Sequence, residues 1–136
     1  MEILGLPYPI TKHPNGFLRT QKGIPQIKSD ILTLLLTNPG ERVMIPEFGT
    51  PLRELLFEQN DNETAVRARE MIILAINKWE PRVVVTEINT SLEVDDLNQD
   101  QFTESNSHVL FISIKFSTFD NINNVEEVRL ELPVGN

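Results

Sequence analysis

No cysteine occurs among the 136 residues, which excludes a disulfide framework and thiolate metal sites together. Aromatic side chains are scarce: Trp79 and Tyr8 are the only members of their types, too few for a surface that stacks sugars. No apolar run approaches the ~18 residues needed to cross a bilayer. Met1-Glu2-Ile3-Leu4 lacks the basic stretch that opens a signal peptide, so the chain is expected to be cytoplasmic or assembled in the cytoplasm. Cations are also in short supply, with 12 Lys and Arg against 20 Asp and Glu and a net charge of -8. Binding to a phosphate backbone draws on clustered cations that release counterions, so no nucleic-acid partner is expected. The acidity keeps a soluble protein dispersed, or suits basic and mixed-charge protein partners. At 40% hydrophobic and 24% charged, the composition is that of an ordinary soluble globule of one domain.

Residues 1–24 read as an irregular arm, because Gly5, Pro7, Pro9, Pro14, Gly16 and Gly23 break every period. Ile3-Leu4 and Phe17-Leu18 could pin it to the body, residues 25–136. Pro25 suits the first turn of a helix, where its missing N–H costs nothing. Ile27, Ile31, Leu34 and Leu35 then share one face, and Asn38-Pro39-Gly40 stops the helix. Thr50 reads as the N-cap of a short helix carrying Leu52, Leu55 and Leu56, with Pro51 at its first position. Gln59 to Asn62 breaks that pattern. A longer helix over 63–79 turns Ala68, Ile72, Ala75, Ile76 and Trp79 inward, and Pro81 ends it.

From Arg82 the period falls to two. Val84, Thr86, Ile88, Thr90, Leu92 and Val94 form one row, Leu110, Ile112, Ile114 and Phe116 a second, and Val128, Leu130, Leu132 and Val134 a third. Three strands with one apolar face each, joined by polar connections at 95–106 and 120–124, predict an antiparallel sheet covered by helices on one side. The predicted fold is α+β: an N-terminal arm and three helices on one face of about three C-terminal strands.

Two stretches mix backbone-fixing residues with charge at junctions between elements. The first contains Gly40, Glu41 and Arg42, then Pro46, Glu47, Phe48 and Gly49. Gly40 supplies the unusual φ of a helix exit, and Phe48 is the apolar residue of a second tight turn. The second is Glu80-Pro81-Arg82, between the long helix and the first strand. Arg82 has two uses there: to pair with Glu41 or Glu47 within the chain, or to grip a neighbouring protein while stacking on Trp79.

In this order, from roughly residue 15 to 134, the two stretches resemble the small baseplate-wedge family of contractile phage tails. Its relatives occur in type VI secretion baseplates, and its members are often labelled lysozyme-like. The resemblance implies a virion structural protein of the tail baseplate, present in several copies in a symmetric assembly. Its partners would be other baseplate wedge proteins and the tail sheath protein. It implies that Glu80, Pro81 and Arg82, with residues 40–42 and 46–49, hold a neighbouring subunit. It also implies a fold like the sheath domain that exchanges strands, and hence a sheet edge able to accept one. Charges at Lys115, Glu127, Arg129 and Glu131 would blunt that edge against aggregation, and Arg129 marks the segment expected to receive the sheath.

The lysozyme label implies paired carboxyl groups across a sugar cleft. Glu41, Glu47, Glu54 and Glu58 qualify by type alone, so no catalytic residue and no enzyme are expected. A muramidase and a soluble regulatory adaptor of the same fold are the rival classes. His13 and His108 are isolated, and the acids Asp95, Asp96, Asp100 and Glu104 lack the spacing and central glycine of a calcium loop. No metal, cofactor or membrane partner is expected.

Overall fold

Gly23, with φ +70°, turns the chain into α1 (Ile24–Leu36), and Pro25 sits in its first turn as the sequence predicts. The computed structural model describes residues 4–55, 57, 62–94 and 108–134. The expectations for Ile3, Leu56, Glu58, the break at 59–61 and the acidic 95–106 connection lie outside the described residues. α2 (Leu52–Leu55) and α3 (Asn62–Trp79) follow, then β1 (Val83–Val94), β2 (His108–Thr118) and β3 (Asn121–Val134). Asn62 therefore opens α3 and does not belong to the break before it.

The three strands form one antiparallel sheet in the order β1-β2-β3. α3 lies against β1 and α1, α1 also meets β3, and α2 meets α3. Leu110, Ile112, Ile114 and Phe116 of β2 are buried, as are Val128, Leu130 and Leu132 of β3. They face Ile31, Leu34 and Leu35 of α1 and Ile72 and Ile76 of α3 in one core. Each fully buried aliphatic side chain contributes about 1.5–3 kcal/mol, so this layer carries most of the fold's stability.

Four further expectations change. In β1, a bulge between Val85 and Glu87 shifts the inward phase by one residue. Val83 is buried together with Ile88 while Val84 is 39% exposed, so the row Val84-Thr86-Ile88 does not share a face. The 120–124 connection is a tight turn at Phe119-Asp120, and residues 121–124 already belong to β3. Thr50 is fully buried and donates its hydroxyl to the Leu34 carbonyl (3.2 Å) while its N–H bonds the Thr37 carbonyl (2.8 Å). It ties the loop exit to α1.

The arm is the fourth. Antiparallel pairs at Gly5–Gln21 and Lys12–Leu18 fold it back on itself. Leu4, Phe17 and Leu18 are exposed and pin nothing. The arm's root is held instead by polar contacts: Gln26 Nε2 donates to the Leu6 carbonyl (3.2 Å) and Ser29 Oγ to Gln21 Oε1 (3.0 Å). Pro7 is buried beside them.

Candidate partner-binding site

The two motif stretches come to one cleft: Phe48 of the first meets Trp79, which directly precedes the second, and Phe48 and Glu80 both line it. The chain leaves α1 through Gly40 at φ +93°, whose N–H reaches the Pro46 carbonyl at 2.6 Å. Glu41 folds back to accept from the backbone N–H and side-chain amide of Asn38 (3.0 and 3.2 Å). Gly49, at φ +126°, passes so close to Thr37 that a Cβ would lie 2.3 Å from the Thr37 carbonyl oxygen. Only glycine fits that approach. These bonds brace the loop, and Val43 and Met44 stand at its tip almost wholly exposed.

Phe48 returns to the body and meets Trp79 edge to face, centroids 5.3 Å apart. Arg42 lies over the Phe48 ring at 4.7 Å and Lys78 over the Trp79 ring at 4.8 Å. Lys78 also approaches Glu47 at 3.5 Å, a wet pair of small energetic weight. Residues 42, 47 and 48 of the first motif thus share one surface with the end of α3, and Pro46 with Gly40 closes the loop behind it.

Glu80 and Arg82 form the second half. Pro81 breaks α3, and the Glu80 side chain, 8% exposed, receives Arg82 Nε and Nη2, each at 2.6 Å. Arg82 Nη2 also reaches Asp30 Oδ2 on α1 at 2.7 Å. Hydrogen bonding to Glu80 raises the guanidinium pKa most, burial opposes, and Asp30 adds to the rise. Arg82 therefore pairs with neither Glu41 nor Glu47, which the loop geometry carries away to Asn38 and Lys78. The cations over the two rings are Arg42 and Lys78.

Asp30 and Gln26 are the members that sequence reasoning missed. Gln26 Nε2 donates to Asp30 Oδ1 at 2.6 Å, so a line of bonds runs from the arm's Leu6 carbonyl to Arg82. Gln26 is buried, and its Oε1 has no donor. The signal was present: Gln26 and Asp30 sit four apart, on one helix face.

Beside these groups lies a cleft of about 660 Å³, lined by Leu6, Tyr8 and Ile10 of the arm together with Arg42, Phe48 and Trp79. Asp30 and Glu80 also line it, and both are engaged with Arg82. Glu41, Glu47 and Glu54 do not line it.

Arg129 is elsewhere. It sits on β3 opposite Ser113, exposed and 3.1 Å from Glu127. Lys115, expected to guard an edge, lies on the central strand β2 and bonds Glu87 of β1 at 2.7 Å. Among the described residues, β1 and β3 each keep one edge without a strand partner.

Residues 22–118, both motif stretches included, match the family described as baseplate wedge protein gp25. The chain belongs to that family. Baseplate wedge protein gp25 of Enterobacteria phage T4 is 31% identical over 114 residues, spanning 84% of this chain and 78% of that protein. Among solved structures, a Geobacter sulfurreducens protein named as a candidate tail lysozyme superposes with TM-score 0.65 at 22% identity, covering 82% of this chain and 90% of its own. A chain of the anti-feeding prophage baseplate, solved by cryo-electron microscopy with six-fold symmetry, gives TM-score 0.63 at 16% identity, covering 99% and 87%. At those identities the two structures establish the α+β fold alone. Family membership makes the chain a baseplate wedge protein of contractile tail machinery.

Proposed function

We propose that this wedge protein links the baseplate to the first layer of tail sheath and templates sheath assembly by accepting a strand. One observation carries the reading: β3 ends the sheet with its outer edge free of a strand partner among the described residues. An extended arm can add there through main-chain hydrogen bonds, with alternating side chains setting specificity. Arg129 and Glu127 on β3 discourage indiscriminate pairing without consuming backbone donors.

Glu80-Pro81-Arg82 and the braced 40–49 loop then face the other wedge proteins. The whole works as a structural part of an assembled tail baseplate, in several symmetric copies. Where the residue-129 N–H faces the open edge, a proline there removes a donor to the added strand and is expected to impair sheath assembly on purified baseplates far more than Arg129→Ala. Equal effects from two folded variants would remove strand addition through this segment.

No hydrolysis is part of this reading. Asp30 and Glu80, the carboxylates that line the cleft, share one guanidinium, whereas a glycosidase needs one free acid opposite a second carboxylate. Peptidoglycan turbidity is expected to stay flat from mild acid to neutral pH. Clearing that vanished with Glu80→Gln would establish a muramidase instead.

A further inference from the structure

The matched family region begins at residue 22, so the folded-back arm lies outside it and neither motif explains it. Leu4, Leu6, Tyr8 and Ile10, every second residue of its outgoing limb, are 44% to 65% exposed. An isolated soluble chain has no reason to hold such a row in water beside a cleft. The root is nevertheless fixed, by the Gly5–Gln21 pair, by Gln26 on Leu6 and by Ser29 on Gln21. A fixed root with an uncovered row is a preorganised surface, in which little ordering cost remains for a partner to meet.

Charge decides what fits. Between residues 4 and 23 there are three cations, Lys12, Arg19 and Lys22, and no acid; residues 24–136 carry nine cations and nineteen acids. The arm is thus the basic part of an acidic protein. Among the residues lining the cleft the group of like sign is Arg42, placed over the Phe48 ring. The acids lining the cleft, Asp30 and Glu80, are already engaged with Arg82.

We propose that the cleft between the arm and the Phe48–Trp79 pair seats an apolar segment bearing acidic side chains, contributed by another protein of the baseplate. The apolar side chains lie against Tyr8, Ile10 and the two rings. The acids meet Arg42, the cation that lines the cleft. A second copy of this chain would bring two strongly acidic bodies together along with the arm, whereas a partner acidic only at the contact avoids that repulsion. This inference rests on the wedge reading and names the chemistry of one of its partners.

The test uses intact particles assembled with a photoreactive phenylalanine analogue in place of Tyr8. Irradiation is expected to join the chain to one other tail protein, at a stretch with apolar and acidic residues. In parallel, Tyr8→Asp with Ile10→Asp, and separately Arg42→Glu, are expected to lower incorporation at least tenfold, while the melting curve of the free Tyr8/Ile10 variant is unchanged because those side chains are exposed. Cross-linking to a second copy, to the chain's own body or to a basic segment overturns the proposal, and so does undiminished incorporation. Absence of the wild-type chain from particles is a separate result: it removes the wedge reading, and this inference with it.

Discussion

Arg82 Nη2 lies 2.7 Å from Asp30 Oδ2, although 52 residues separate them. The contact joins the junction after α3 to the middle of α1, and through Gln26 to the root of the arm. Glu80 is the buried partner of the guanidinium and Asp30 the wetter one. The two carboxylates therefore contribute unequally to holding Arg82.

Arg82→Ala leaves the Glu80 carboxylate buried without its cation. Breaking a buried pair costs roughly 3–5 kcal/mol, and the partial exposure of Arg82 brings the expectation to about 2–3 kcal/mol by denaturant unfolding. Asp30→Asn keeps acceptor and donor functions at a half-exposed site and is expected to cost about 1 kcal/mol or less. A larger loss from Asp30→Asn than from Arg82→Ala would reverse the assignment. If both variants stay folded and only Arg82→Ala weakens binding to wedge proteins, the residue serves the fold and the interface together.

The two loop glycines separate backbone strain from crowding. Gly40 and Gly49 both hold positive φ, but a Cβ meets nothing near Gly40 and the Thr37 carbonyl at Gly49. Gly40→Ala is expected to cost about 1–2 kcal/mol from conformation alone. Gly49→Ala is expected to cost at least about 3 kcal/mol, because Thr37 must also move and release the Thr50 N–H. Thermal melts of the two variants side by side check the order.

Phe48→Ala removes the edge-to-face pair with Trp79, worth about 0.5–1.5 kcal/mol beyond area burial, and uncovers Trp79. The expected readout is a red-shifted tryptophan emission, unambiguous because the chain has a single Trp. Arg42→Ala should leave that emission in place.

Lys28 of α1 bonds Glu126 of β3 at 2.7 Å and thereby holds that carboxyl below its ordinary value. A carboxyl lowered on folding adds stability above its unfolded pKa and loses it as pH falls through the folded one. The melting difference between wild type and Glu126→Gln is therefore expected at neutral pH, to shrink as pH falls past the ordinary Glu value of about 4.3, and to be lost once pH is below the lowered folded one. A difference that does not shrink as pH falls through that range would mean that the charge pair is not its source.

Helix limits and two of three strand faces were legible because each depends on local signals: Pro25 and Pro81 at helix ends, and strict alternation in β2 and β3. The phase of β1 was not, since Val83, Val84 and Val85 are equally apolar and a one-residue bulge leaves no mark in such a run. The turn at Phe119-Asp120 was hidden by Asn121, Asn123 and Asn124, polar residues that read as loop but open β3. Of the site, the motif residues were visible as backbone-fixing positions. Their partners were not: which carboxylate meets Arg82 depends on how α1 packs against the junction, and no local period carries that.

The most direct measurement is a cryo-electron microscopy map of the assembled tail at a resolution that traces strands. If β3 templates the sheath, a strand from a sheath subunit runs along its outer edge, past Arg129, hydrogen-bonded to the sheet. A map in which this chain sits in the baseplate with that edge facing solvent, or with the sheath seated elsewhere, would contradict it.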